Sequence, residues 1–183
     1  ANSGVLFEWD KVSNIFTKKI DFNKSENGGY IPGSLTLANG KFYGMAGQGG
    51  TYGKGVIFEW NPATNSLSNR FNFNGTDQGA LPQGTLTYFG GKFYGMTHAG
   101  GVFNKGVIFE WDPFSNIFEK KIDLDSVNTG SNPYGAMVSY NGLFYGMTYR
   151  GGNTDNGVIF EWNPVTNTIN KKIDFNGANG RNP

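Results

Sequence analysis

The chain has 183 residues, with 15 Lys and Arg against 14 Asp and Glu, so at a formal net charge of +1 it lacks the basic excess that nucleic acid or an anionic membrane surface requires. It contains no cysteine and one histidine, which excludes disulfides, thiolate chemistry, zinc fingers and any site built from two imidazoles. With 29 glycines, 16% aromatic and 16% charged residues, the composition favours turns and β-structure over helices, and no apolar run is long enough for a membrane helix.

The first predicted strand is Gly4-Val-Leu-Phe-Glu-Trp9. The same phrase returns as Gly-Val-Ile-Phe-Glu-Trp, ending at Trp60, Trp111 and Trp162, so the four tryptophans stand 51 residues apart. A turn follows each copy: Asp10-Lys-Val-Ser-Asn14, Asn61-Pro-Ala-Thr-Asn65, Asp112-Pro-Phe-Ser-Asn116 and Asn163-Pro-Val-Thr-Asn167. Proline suits the corner of a type I turn, and the closing asparagine suits a left-handed position. Pairing Asn61 with Ser66 then sets Trp60 opposite Leu67, Glu59 opposite Ser68 and Val56 opposite Phe71. Further on, Gly-x-x-Pro recurs at Gly29/Pro32, Gly79/Pro82, Gly130/Pro133 and Gly180/Pro183, a spacing that slips by one residue and so predicts a loop of variable length. It leads into Leu35-Thr-Leu-Ala38, which meets Lys41-Phe-Tyr-Gly-Met45 across Asn39-Gly40. The later junctions are Gly90-Gly91 and Asn141-Gly142, all of them chemistry for a type I′ hairpin. A Gly-Gly pair closes each unit before the next Gly-Val-Ile-Phe-Glu-Trp.

Four antiparallel strands per 51-residue unit, without helices, predict an all-β, β-propeller-type array of four-stranded blades. The chain divides as one repeat region, 4–54, 55–105, 106–156 and a partial 157–183, giving three complete blades and a half. Such an array is expected to be part of a longer chain or of a multi-chain ring, with self-association through its open blade ends.

In outline each copy resembles a kelch blade, with its Tyr-bearing second strand, its Gly-Gly pair and its Asp/Asn-Pro-x-Thr/Ser-Asn turn. In detail Pro133, Phe144-Tyr-Gly-Met-Thr148, Gly151-Gly152 and Gly157-Val-Ile-Phe160 resemble the Gloeo_Verruco tandem repeat more closely. That resemblance covers nearly the whole chain. It implies an extracytoplasmic bacterial protein, extracellular or at the cell surface, and implies no catalytic residues.

Glu8, Glu59, Glu110 and Glu161 are the most tempting carboxylates, but four identical acids diagonal to Lys19, Arg70, Lys121 and Lys172 read as cross-strand ion pairs. Tyr43, Tyr94, Tyr145 and the tryptophans read as packing between blades. His98 is a lone imidazole on a loop. Asn74-Gly-Thr-Asp77, Asp123-Leu-Asp125 and Asn153-Thr-Asp155 lack calcium-loop spacing and read as turns. No cofactor or metal is expected and no residue takes a catalytic role. The copies diverge chiefly in the loop between second and third strands, where Gln48, Tyr52, His98, Phe103, Tyr149 and Arg150 offer stacking surface, donors and acceptors. They are the candidate ligand-binding residues of a noncatalytic module for a glycan or a protein, with no nucleic acid and no membrane insertion. The alternatives are a fragment of a polysaccharide-active enzyme whose catalytic groups lie on other blades, and a purely structural spacer.

Overall fold

The computed structural model describes residues 2–183. β1 (Asn2–Asp10) and β2 (Ile15–Asn23) form a two-stranded sheet. β3 (Thr36–Ala38), β4 (Lys41–Ala46), β5 (Val56–Asn61) and β6 (Ser66–Asn72) form the next, side by side in that order. In the third, β7 (Ala80–Pro82) and β8 (Thr87–Phe89) both pair with β9 (Lys92–Ala99), which is followed by β10 (Val107–Trp111) and β11 (Phe118–Asp123). β12 (Val138–Tyr140), β13 (Leu143–Thr148), β14 (Val158–Asn163) and β15 (Thr168–Asp174) make the fourth. Neighbouring strands within each sheet run antiparallel, and no helix occurs among the described residues.

Turn residues set the strand ends. The pairs Asn39-Gly40, Gly90-Gly91 and Asn141-Gly142 all have φ between 50° and 87°, the left-handed values a type I′ hairpin needs. Asn14, Asn65, Asn116 and Asn167 are left-handed as well, and each accepts the indole N–H of the tryptophan before its turn, at 3.0 Å from Trp9, 3.2 Å from Trp60, 3.1 Å from Trp111 and 3.2 Å from Trp162. One asparagine thus closes the turn and satisfies the indole N–H.

The pairing of third and fourth strands departs from the sequence reading at one point. Trp60 does face Leu67 and Glu59 faces Ser68, but Ile57, not Val56, faces Phe71, because a β-bulge intervenes between Ile57 and Phe58. The bulge recurs in all four sheets, and the extra residue is Lys19, Arg70, Lys121 or Lys172. A bulge re-aims the side chain of its unpaired residue. Here it turns the base toward the glutamate, with Lys19–Glu8 at 3.0 Å, Arg70–Glu59 at 3.5 Å, Lys121–Glu110 at 3.7 Å and Lys172–Glu161 at 2.8 Å.

The loop of variable length is corrected for the first three copies. The bridges Gly29 to Gln48, Ala80 to Ala99 and Ser131 to Arg150 are equivalent, so Gly28, Gly79 and Gly130 share one position and Ile31 stands where Pro82 and Pro133 do. No residue is inserted among these three copies; in the first an isoleucine replaces a proline, and the proline beside it mimics a slip. The fourth loop is one residue shorter, since Asn182 repeats the bonds of Asn132 only 50 residues on.

The sheets stack face to face because apolar side chains alternate onto both faces. Leu6 and Phe22 meet Ala46, Val56 and Phe58. Tyr43, Met45 and Ile57 meet Leu86, Phe93, Val107, Phe109 and Trp111, while Tyr94, Met96 and Ile108 meet Met137, Phe144, Val158, Phe160 and Trp162. Among the described residues the outer faces of the first and last sheets have no such partner, and Phe7, Trp9, Val138, Tyr140 and Met147 lie exposed there.

Candidate functional site

The same three bridges bring the loop before each inner strand against the loop after the second strand, so all the divergent loops gather at one end of the sheets. Small differences at equivalent positions decide what that end displays. At Gly47, His98 and Tyr149 the backbone is alike, but the first carries no side chain and a Cβ there would lie 2.9 Å from Tyr30 Cδ1. Tyr30 therefore folds over Gly47, and its hydroxyl donates to Gln83 Oε1 at 3.4 Å.

At the junction of the third and fourth sheets the groups are larger and form a row. The His98 and Tyr134 rings are 4.6 Å apart, and Tyr134 meets Tyr149 edge-to-face at 5.2 Å. The Arg150 guanidinium stands 5.9 Å from the Tyr149 ring centre and pairs with Asp155 at 3.2 Å. Asn132 fixes the junction: its Nδ2 donates to the His98 carbonyl at 3.0 Å and its backbone N–H to the Lys105 carbonyl at 2.8 Å. Asn182 repeats the device on the Tyr149 carbonyl at 2.8 Å. Tyr134 remains 44% exposed, so an aromatic face is presented to solvent between a histidine and an arginine.

Of the residues singled out in the sequence, the structure brings His98, Tyr149 and Arg150 into this row. Gln48 is held by its backbone bridge to Gly29, and Tyr52 and Phe103 protrude from the tips of their own turns. No hydrogen bond or ring contact joins these three to the row among the described residues. Tyr134, Asn132, Tyr30 and Gln83 were not among the candidates. They lie in the loop ahead of each inner strand, and the residue following the bridge position differs in every copy, which is the signal that marks them.

Burial pushes the His98 imidazole below its usual value, opposed by the Pro133 and Asn132 backbone carbonyls as acceptors for the ring, and Nδ1 is buried without a partner. A histidine whose folded-state pKa lies below its unfolded one stabilises the fold fully above the unfolded value near 6.5, and that stability is lost as pH falls through the folded value. Glu59 and Glu161 are held below their usual 4.5, so their acid losses come at lower pH. Urea midpoints are therefore expected to fall as pH drops from 6.5 toward 4.5 in the wild-type chain, and to flatten across that window in His98→Gln. An unchanged slope in the variant would assign the window to other groups.

The repeated glutamates lie in ion pairs. Burial opposes ionisation of Glu59, but Lys41 at 2.7 Å, the Tyr43 hydroxyl at 3.0 Å and Arg70 outweigh it. Burial and this hydrogen bond push Tyr43 up to about 12. Each acid pairs with the base of its own bulge, and Glu59 and Glu110 take a second-strand lysine as well. The Asn/Asp-rich connections also serve structure: Asn74 Oδ1 accepts from Thr76 and Gln78, Asp125 Oδ1 from Asn128 and Thr129, and Asp155 Oδ1 from Gly151. Among the described residues no three His, Asp or Glu side chains gather as metal ligands.

The sequence matches the Gloeobacter/Verrucomicrobia repeat over residues 1–183. No curated protein matches it. Among solved structures, TolB from Acinetobacter baumannii is 12% identical, with 91% of this chain and 37% of that one covered and a TM-score of 0.57. An ulvan lyase of a new polysaccharide lyase family is 16% identical, with 83% of this chain and 40% of that one covered and a TM-score of 0.52. At such identities the likeness is one of fold, and the fold is propeller-type. The chain spans well under half the length of either protein.

Proposed function

We propose, for a chain that belongs to the Gloeobacter/Verrucomicrobia repeat family, that it is a noncatalytic binding module of an exported bacterial protein and that its ligand is a glycan. The observation that carries this reading is the row His98, Tyr134, Tyr149 and Arg150, built where otherwise repetitive copies diverge. Sugar rings present C–H faces that stack on tyrosine and hydroxyls that need donors and acceptors, and the row supplies both. Arg150 adds a cation suited to an acidic sugar once Asp155 shares it. His98 supports binding rather than turnover, because its Nδ1 is buried away from the open face.

Glycan arrays probed with the 183-residue chain test the proposal. Binding is expected, and Tyr134→Ala and Tyr149→Ala are each expected to weaken it about tenfold, the loss of roughly 1.4 kcal/mol of stacking. Tyr52→Ala and Phe103→Ala are expected to leave it unchanged. A blank array, or equal loss from all four variants, would remove the reading. Polysaccharide turnover abolished by His98→Ala would replace it with an enzyme.

A further inference from the structure

We infer that the groove beside β1 seats a β-hairpin of this same repeat, one carrying Lys-Phe-Tyr-Gly-Met on its second strand and presented by another stretch of the repeat. Four independent features ask for that one object.

The first is an open backbone edge. β5, β10 and β14 are each paired on both sides, whereas among the described residues their equivalent β1 pairs with no strand but β2. Along Phe7–Trp9 a third-position strand with no second neighbouring strand presents its edge to an incoming strand.

The second is an aromatic pair without its cover. Phe93 and Trp111 receive the Tyr43 ring at 4.6 and 5.8 Å, and Phe144 and Trp162 receive Tyr94 at 4.5 and 5.8 Å. Phe42 and Trp60 lie in the same arrangement, 5.4 Å apart, and among the described residues no tyrosine reaches them.

The third is a carboxylate with half its partners. Glu59 has a lysine and a tyrosine hydroxyl from the second strand as well as its bulge base, and Glu161 likewise has Tyr145 at 2.9 Å. Glu8 has its bulge base, Lys19, and remains exposed. The fourth is the space itself, a groove of about 710 Å³ lined by Val5, Leu6, Phe22, Ile31, Leu35 and Phe58.

The register makes the demand sequence-specific. In the complete sheets the second strand sets Phe opposite Trp, Tyr opposite Glu and Gly opposite Phe. The glycine is obligatory, because a Cβ on Gly44, Gly95 or Gly146 would lie 2.4–2.5 Å from the tip of the facing phenylalanine. Trp9, Glu8 and Phe7 present the same series, so the incoming strand must read Phe-Tyr-Gly.

A synthetic peptide of residues 84–99, carrying one inner strand, its Gly-Gly turn and Lys-Phe-Tyr-Gly-Met, tests the inference against the intact 183-residue chain. Calorimetry is expected to show saturable binding, with a blue shift of Trp9 emission as that exposed indole is covered. The same peptide with Gly95→Val is expected to bind at least tenfold more weakly, and Glu8→Lys in the chain to weaken the unmodified peptide. The inference falls if the unmodified peptide does not bind, if the Gly95→Val peptide binds as well, or if light scattering shows chains joined by their end faces in a complex the peptide cannot disrupt.

Discussion

Trp111→Ala is expected to lower unfolding free energy by about 3–5 kcal/mol, whereas Trp9→Ala is expected to cost less than about 1 kcal/mol. The two residues occupy the same place in the same phrase, follow the same Phe-Glu, and donate to the asparagine of the same turn at 3.1 and 3.0 Å. Their neighbours differ. Trp111 is 0% exposed and packs on Phe93 at 5.6 Å and on Tyr43 of the preceding sheet, so its removal leaves a cavity that two sheets must share. Trp9 is 57% exposed, because among the described residues no sheet covers that face. Urea unfolding followed by circular dichroism measures both variants under one set of conditions. Similar losses would mean that strand pairing and the turn hydrogen bond, not sheet-to-sheet packing, hold the repeats together, against the nearest-neighbour account of repeat stability.

The strands were legible in the sequence because their punctuation is local. Asn39-Gly40 and its counterparts specify a hairpin within two residues, and the Trp-to-Asn turn does so within five, so strand order and most of the register follow without long-range information. The bulge was not legible, since its extra residue looks like an ordinary member of a strand; the one clue is that the position is always basic. The binding row was legible in part. Divergence among copies pointed to His98, Tyr149 and Arg150, which lie on the loops compared. Tyr134 and Asn132 reach that row from the next sheet, and their place beside His98 depends on how sheets stack, which no local pattern encodes. The tyrosine-to-glutamate bond was missed for a related reason: Tyr43 and Glu59 face each other on strands joined by a loop, and each taken singly reads as packing or as an ion pair. The proline beside Ile31 shows the opposite hazard, where a shared motif misaligned the first loop with the second although the backbone keeps those two in step; the slip before Pro183 is a true one-residue shortening.

Gly79→Ala is expected to cost about 3 kcal/mol or more, and Gly40→Ala about 1 kcal/mol, although both glycines have a left-handed backbone. At Gly40, φ is +73° and nothing lies within 4 Å of a new Cβ, so the cost is conformational strain alone. At Gly79, φ is +83° and the Cβ would lie 2.2 Å from Thr97 Oγ1 and 2.8 Å from Val107 Cγ2, both on fully buried residues. Thr97 cannot step aside freely: its hydroxyl donates to the Ala99 carbonyl at 2.9 Å and accepts the Val107 N–H at 3.1 Å, so moving it strands buried polar groups and opens the sheet next to the binding rim. Gly130 meets Thr148 in the same way, and at Gly28 the neighbour is Ala46, with 2.6 Å to its Cβ and no hydroxyl to displace. The ranking expected from urea midpoints is therefore Gly79→Ala and Gly130→Ala most damaging, Gly28→Ala intermediate and Gly40→Ala least. If all four fell together, backbone strain would suffice as the reason for glycine at these positions, and the threonine that joins the second strand to the third would lose its assigned part in fixing the loop that carries His98.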